Sequence, residues 1–216
     1  MTEIAAHLHE IRERIATAAR TTGRAPEAIQ LVAVSKEVDA AAVAQAFAAG
    51  QRDFGENRAQ ELLTKAEALN RQPLELAWHF IGRLQRNKVK AIASLVTLWH
   101  SVDRSELGVE IARHAPSARV LVQVNVAGEE QKGGCAPAAV PALVDSLTDL
   151  GLTVEGLMTV PPLVGDPRPH FGALRDLATR LGLATLSMGM SGDFEAAIAE
   201  GSTLVRVGRA VFGPRS

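Results

Sequence analysis

With 216 residues, 47% of them apolar and 22% charged, the chain has an ordinary globular composition and length for one large domain or two small ones. Its 23 Lys and Arg against 24 Asp and Glu leave a net charge of −1, so no strong basic field argues for nucleic acid. One cysteine excludes an intrachain disulfide, no apolar run is long enough for a bilayer, and "MTEIAAHLHEIRERI" lacks the apolar centre of a signal peptide. A soluble, cytoplasmic protein is expected.

Taken in order, residues 3–20 place Ile4, Leu8, Ile11 and Ile15 on one helical face. "LVAVSK" then reads as a short buried strand, 31–35, that stops at Lys36. The alanine-rich segment 39–49 is a helix closed by Gly50, and "QRDFGEN" is a short strand leading into a helix over about 57–69. "LAWHFIG" is a strand, followed by a basic helix beginning in "LQRNKVKAIASL". "TLWHSVD" is a strand and 104–114 a helix, and "RVLVQVNV" is the clearest strand of all. Helix 137–149, strand "TVEGLMTV", helix 168–181, strand "TLSMGM", helix 193–200 and strand "TLVRVG" complete the series.

Eight strands, each preceded by a helix, argue for a parallel sheet with crossover helices. The count points to a single closed (β/α)8 TIM barrel spanning residues 1–216, with the first helix packed on it and no room for a second β domain. A doubly wound open sheet is the alternative, and strand 51–54 is the weakest of the eight.

A barrel collects its site at the C-terminal ends of its strands. Those ends are Ser35 and Lys36, Asn57, His79 and Gly82, His100, Asn125, Met158, Ser187 to Ser191, and Arg206 to Arg209. An ammonium at the end of a core strand either snorkels to water or serves, neutral, as a Schiff-base nucleophile. Loops after strands seven and eight often hold a phosphate in this fold. Here they read "SMGMSGDFEAA", where Ser191 can cap a helix starting near Gly192 or Asp193, and "VRVGRAVFG", where Gly208 permits close approach. Asp193 would compete with a phosphate unless it points outward. A phosphate site facing a Schiff-base lysine describes a phosphorylated carbonyl substrate or pyridoxal 5′-phosphate (PLP). Arg206, two residues before Gly208, can meet a pyridine nitrogen and would separate the two; its alternative is a structural ion pair within the barrel.

The segments "AVSK", "DFGENRAQE", "WHFIGRLQRNK", "VQVNVAGEEQKGG", "EGLMTVPP" and "LSMGMSGDFEAAIAEGSTLVRVGRAVFG" resemble the pyridoxal phosphate homeostasis protein family from about residue 31 to 213. The resemblance implies a PLP fold-type III barrel, like the barrel half of alanine racemase. It also implies PLP held as a Schiff base on Lys36, with Asn57 near the ring and Arg206 facing the pyridine nitrogen. Ser187, Ser191, Gly208 and Arg209 are implied around the phosphate. Two positions bear on the likeness. Val38 stands where family members often carry a second lysine, whereas Lys132 keeps the lysine of the "K.G" stretch.

Two function classes remain at this point. One is a PLP carrier or buffer serving intracellular PLP homeostasis, with apo PLP-dependent enzymes as its partners. The other is an enzyme, either an amino-acid racemase or a Schiff-base aldolase. A racemase needs a second base, usually a tyrosine from another domain of a partner chain, and this sequence has no tyrosine. An aldolase leaves Arg206 without a task. Arginine also cannot protonate the ring nitrogen as aspartate would, which weakens the ring as an electron sink. The carrier is the reading adopted. No His, Cys and carboxylate spacing suggests a metal, and "GRLQRNKVK" reads as a solvated helix face rather than a nucleic-acid patch.

Overall fold

The computed structural model describes residues 2–70, 75–129 and 133–213. It opens with α1 (Glu3–Thr21), capped by Thr2, whose Oγ1 accepts from the Ala5 N–H at 3.2 Å. Then come β1 (Gln30–Val34), α2 (Ala40–Ala48), β2 (Asp53–Glu56), α3 (Ala59–Leu69), β3 (Ala77–Phe80) and α4 (Arg86–Ile92). The second half runs β4 (Val96–Val102), α5 (Ser105–His114), β5 (Arg119–Gln123), α6 (Val140–Asp149), β6 (Thr153–Met158) and α7 (Arg168–Arg180). It ends with β7 (Thr185–Ser187), α8 (Phe194–Ala199), β8 (Leu204–Val207) and the single turn α9 (Arg209–Phe212).

All eight strands are parallel and pair in chain order, and β8 returns to β1 with Gln30 to Ala33 opposite Leu204 to Val207. The sheet therefore closes, which excludes the open doubly wound alternative. Helix α1 packs against α8, α9 and α2, where the last unit of the helix ring meets the first. Arg14 of α1 pairs there with Glu195 and lies over the Phe194 ring.

Side chains alternate across each strand, so every strand splits between the helix side and the barrel interior. The helix side carries the main core, with Phe54, Trp78, Phe80 and Trp99 among its largest members. Inside the barrel a small apolar cluster is made by Val32, Leu98, Leu121, Met158 and Leu204. The rest of the interior is polar: His79 of β3, His100 of β4, Ser187 of β7 and Arg206 of β8 are all at most 4% exposed. Among the described residues no helix is long and apolar enough to cross a membrane, and no group of three or more His, Cys, Asp or Glu could hold a metal ion.

The expected strand over 185–190 ends early, at Ser187. Gly189, at φ +95°, turns the chain away, and a Cβ there would lie 2.6 Å from the Ala197 Cβ. Only glycine fits this bend. The helix expected from 193 starts at Phe194, with Asp193 rather than Ser191 at its cap position.

Candidate functional site

Lys36 follows β1 in a turn closed by the Val38 N–H on the Ser35 carbonyl at 3.1 Å. The next residue, Glu37, lies in the left-handed region at φ 61°, an uncommon conformation for a side-chain-bearing residue. Its N–H donates to Glu61 Oε2 at 2.8 Å. Beneath the turn is a buried lysine. Lys65 Nζ donates to the Ser35 carbonyl at 2.5 Å and to Glu56 Oε1 at 2.7 Å, and the Ser35 hydroxyl donates to the same carboxylate oxygen at 2.6 Å. Burial raises the Glu56 carboxyl above the ordinary range, and the bonds from Lys65 and Ser35 oppose that rise. The loop that presents Lys36 is thus tied to β2 and α3 by a buried ion pair, while Lys36 itself is half-buried at the cavity wall.

Arg206 projects into the barrel from β8. Its Nη1 donates to Ser187 Oγ at 2.6 Å and its Nη2 to the Thr159 carbonyl at 2.8 Å. Among the described residues no carboxylate touches it. Burial lowers its pKa to about 10, with Asp193 acting in the opposite sense, so it stays a cation at neutral pH.

Lys36 and Arg206 line one cavity of about 630 Å³, together with Ser191, Gly192, Gly208 and Arg209. That volume suits a small-molecule ligand. The loop after β7 turns on the Asp193 N–H to the Met190 carbonyl, while Asp193 Oδ1 accepts from the Met190 N–H at 2.5 Å. Asp193 does not point outward: it lines the cavity, with one carboxylate oxygen accepting from the Met190 N–H, so the competition foreseen between its charge and a bound anion stands. A Cβ on Gly192 would meet nothing within 4 Å, so this backbone borders open space. The wall therefore offers an amine, the guanidiniums of Arg168, Arg206 and Arg209, a hydroxyl and loop backbone against the carboxylates of Asp166 and Asp193. These cationic and neutral donors fit an anionic carbonyl compound with a ring acceptor.

Not every expected residue joins this wall. Ser187 is fully buried beneath Arg206, and of the two serines it is Ser191 that lines the cavity. Asn57 borders a different groove, of about 740 Å³, with Arg58, Arg83, Lys88 and Arg104, which shares no lining residue with the Lys36 cavity; among the described residues its buried Oδ1 has no partner. Val38 is half-buried in the turn after Lys36. Lys132 lies outside the described residues.

Residues absent from the sequence-based set are Lys65, Glu56 and Thr159. Lys65 did carry a signal: with Leu62 and Leu69 it sits at spacings of three and four on the buried stripe of α3, where a lysine demands a partner. Thr159 carried none, since it is recruited through its backbone carbonyl.

The family model for the alanine racemase N-terminal domain matches residues 6–216. The pyridoxal phosphate homeostasis protein of Pseudomonas aeruginosa is 46% identical across 100% of this chain and 97% of its own length. Its namesake in Aquifex aeolicus is 44% identical across 96% of each. The solved structure of PipY from Synechococcus elongatus with PLP bound is 35% identical, with a TM-score of 0.85 over 98% of this chain and 100% of PipY. The chain belongs to the pyridoxal phosphate homeostasis protein family, built on the barrel of the alanine racemase N-terminal domain.

Proposed function

We propose that this protein binds PLP through a covalent bond to Lys36 and serves intracellular PLP homeostasis as a carrier or buffer, not as an enzyme. The observation that carries the reading is that Lys36, Arg206 and the loops after β7 and β8 line one cavity. The relatives named for PLP homeostasis, and PipY with PLP bound, support the same ligand.

In this reading Lys36 supplies the nucleophile and Arg206 donates to the ring nitrogen. Ser191 and the backbone at Gly208 and Arg209 hold the phosphate, and Asn57, although it borders a different groove, is the residue assigned beside the ring. Ser187 acts one step removed, as an acceptor for Arg206. Bound PLP would supply an electron sink; Arg206, a cation at neutral pH, keeps that sink weak by disfavouring a proton on the ring nitrogen. The Lys65–Glu56 pair holds the Lys36 turn in place. Receiving partners are apo PLP-dependent enzymes in the cytoplasm.

The test is direct. The purified chain should take up PLP with a visible absorption band, and borohydride should fix one pyridoxyl group on Lys36. Lys36→Ala should abolish both while the far-ultraviolet circular dichroism stays native. A chain that remains colourless after PLP is added would sink the proposal.

A further inference from the structure

A continuous hydrogen-bonded series crosses the barrel interior and ends on Arg206. Asp53 Oδ1 lies 3.0 Å from His79 Nε2, His79 Nδ1 lies 2.9 Å from His100 Nε2, and His100 Nδ1 lies 2.9 Å from Ser187 Oγ. Ser187 Oγ is the acceptor of Arg206 Nη1 at 2.6 Å. Five strands contribute: β2, β3, β4, β7 and β8.

The two ends dictate the direction of every bond between them. A guanidinium can only donate, so Ser187 accepts from it and turns its own proton to His100 Nδ1. His100 must then carry its proton on Nε2 and donate to His79 Nδ1. His79 in turn donates from Nε2 to Asp53, which as a carboxylate can only accept. The opposite order would have His100 donate to Ser187, leaving the serine proton without an acceptor in a fully buried place. Every link is satisfied in one order only. In that order the acceptor end of each group (Ser187 Oγ, His100 Nδ1 and His79 Nδ1) faces the Arg206 side, and the aligned bonds polarise one another.

We infer that His79 and His100 are positioning residues for the PLP ring: through Ser187 they hold the Arg206 guanidinium charged and fixed where an ion-pair partner would otherwise be needed. The inference rests on the proposal that Arg206 faces the ring nitrogen. A buried arginine that no carboxylate touches among the described residues needs such support. The Thr159 carbonyl supplies one neutral acceptor, and the relay supplies the other, backed by the Asp53 charge at its far end. Around that charge stand Gln30 of β1, which donates to Asp53 Oδ1 at 2.8 Å, and Arg119 of β5, which feels its field. The guanidinium keeps its remaining N–H groups for the cavity it lines.

Two measurements test this, one of them free of PLP. In the PLP-free protein, ¹⁵N imidazole spectra assigned with His79→Gln and His100→Gln should show both rings as neutral Nε2–H tautomers. Ser187→Ala, which removes one hydroxyl, should disturb the His100 signals. In the PLP-loaded protein, Ser187→Ala and Asp53→Asn should both shift the visible band or its pH midpoint. Ser187→Ala should also weaken PLP retention by on the order of tenfold, the size expected for a hydrogen bond to a charged group. Borohydride should still mark Lys36 in both variants. A His100 ring protonated on Nδ1 would overturn the relay. Loaded variants whose spectrum, pH profile and retention all match the parent would overturn its action on the ring. A parent chain that takes up no PLP would instead overturn the binding proposal, with the tautomers still reporting whether the relay exists.

Discussion

Lys65 Nζ lies 2.5 Å from the carbonyl oxygen of Ser35, the residue immediately before Lys36. The same ammonium pairs with Glu56, whose side chain is fully buried and whose Oε2 has no partner among the described residues. Removing the lysine therefore strands a carboxylate in the core. Lys65→Met should lower stability by about 3–5 kcal/mol, read as a shift in the urea midpoint. The double change Glu56→Leu with Lys65→Met should recover much of that loss, because it removes both desolvated charges. A single-variant loss under about 1 kcal/mol would mean that the pair behaves as an exposed one.

Acid should weaken the fold through His100. Burial, followed by the neighbouring His79 and Arg206, holds this imidazole well below the ordinary histidine value of 6.5. The unfolded chain accepts a proton near that value while the folded barrel refuses it. The contribution is therefore fully present above 6.5 and is lost as pH falls toward the depressed folded value, with a slope of at most about 1.4 kcal/mol per pH unit. Urea unfolding of the parent and of His100→Gln between pH 7 and 5 measures it. Parallel stability curves for the two proteins would rule out His100 as the group responsible.

Gly82 is packed against the backbone of Asn57. A Cβ at 82 would lie 2.1 Å from the Asn57 carbonyl oxygen and 2.6 Å from its Cα, atoms that cannot rotate aside. Gly82→Ala should cost on the order of 1–3 kcal/mol and, by moving Asn57, weaken PLP retention. Gly192→Ala, which meets nothing within 4 Å, should change stability by less than about 0.5 kcal/mol. Equal stability of the two variants would show that the 55–58 and 81–83 segments separate freely.

The alternation of strand and helix patterns made the barrel legible, because each strand's apolar helix-side face and each helix's stripe repeat at their own periods. Strand ends were legible for the same reason, and they led to Lys36, Ser191, Arg206, Gly208 and Arg209, which line one cavity. The strand expected at 51–54 lies two residues later, at Asp53–Glu56, and both of its end residues are charged, which weakened its pattern. Both charges are matched across the fold, by His79 and by Lys65. Ser187 looked equivalent to Ser191, since a strand written to 190 places both at its end. The turn at Gly189 separates them, leaving Ser187 inside the barrel and Ser191 at the cavity. The relay was illegible for a deeper reason: His79 and His100 meet Ser187 only through closure of the sheet, which sets strands distant in sequence face to face across the interior.

With PLP bound, the protein should not racemise or transaminate free amino acids at an enzymatic rate. Stereochemical inversion needs proton-transfer groups on both faces of the substrate. Lys36 can serve one face, and the sequence contains no tyrosine to serve the other. The missing group forfeits on the order of 10²–10⁴ in rate. Arg206 adds to the deficit, because a guanidinium that remains a cation at neutral pH gives the ring nitrogen no proton and leaves a poor electron sink. Alanine and serine incubated with PLP-loaded protein should show neither inversion nor keto-acid formation, even as PLP exchanges slowly with solvent or with an apo PLP-dependent enzyme. Rapid turnover that scales with protein and vanishes in Lys36→Ala would show that another group of this barrel supplies the second proton, and the carrier reading would fall.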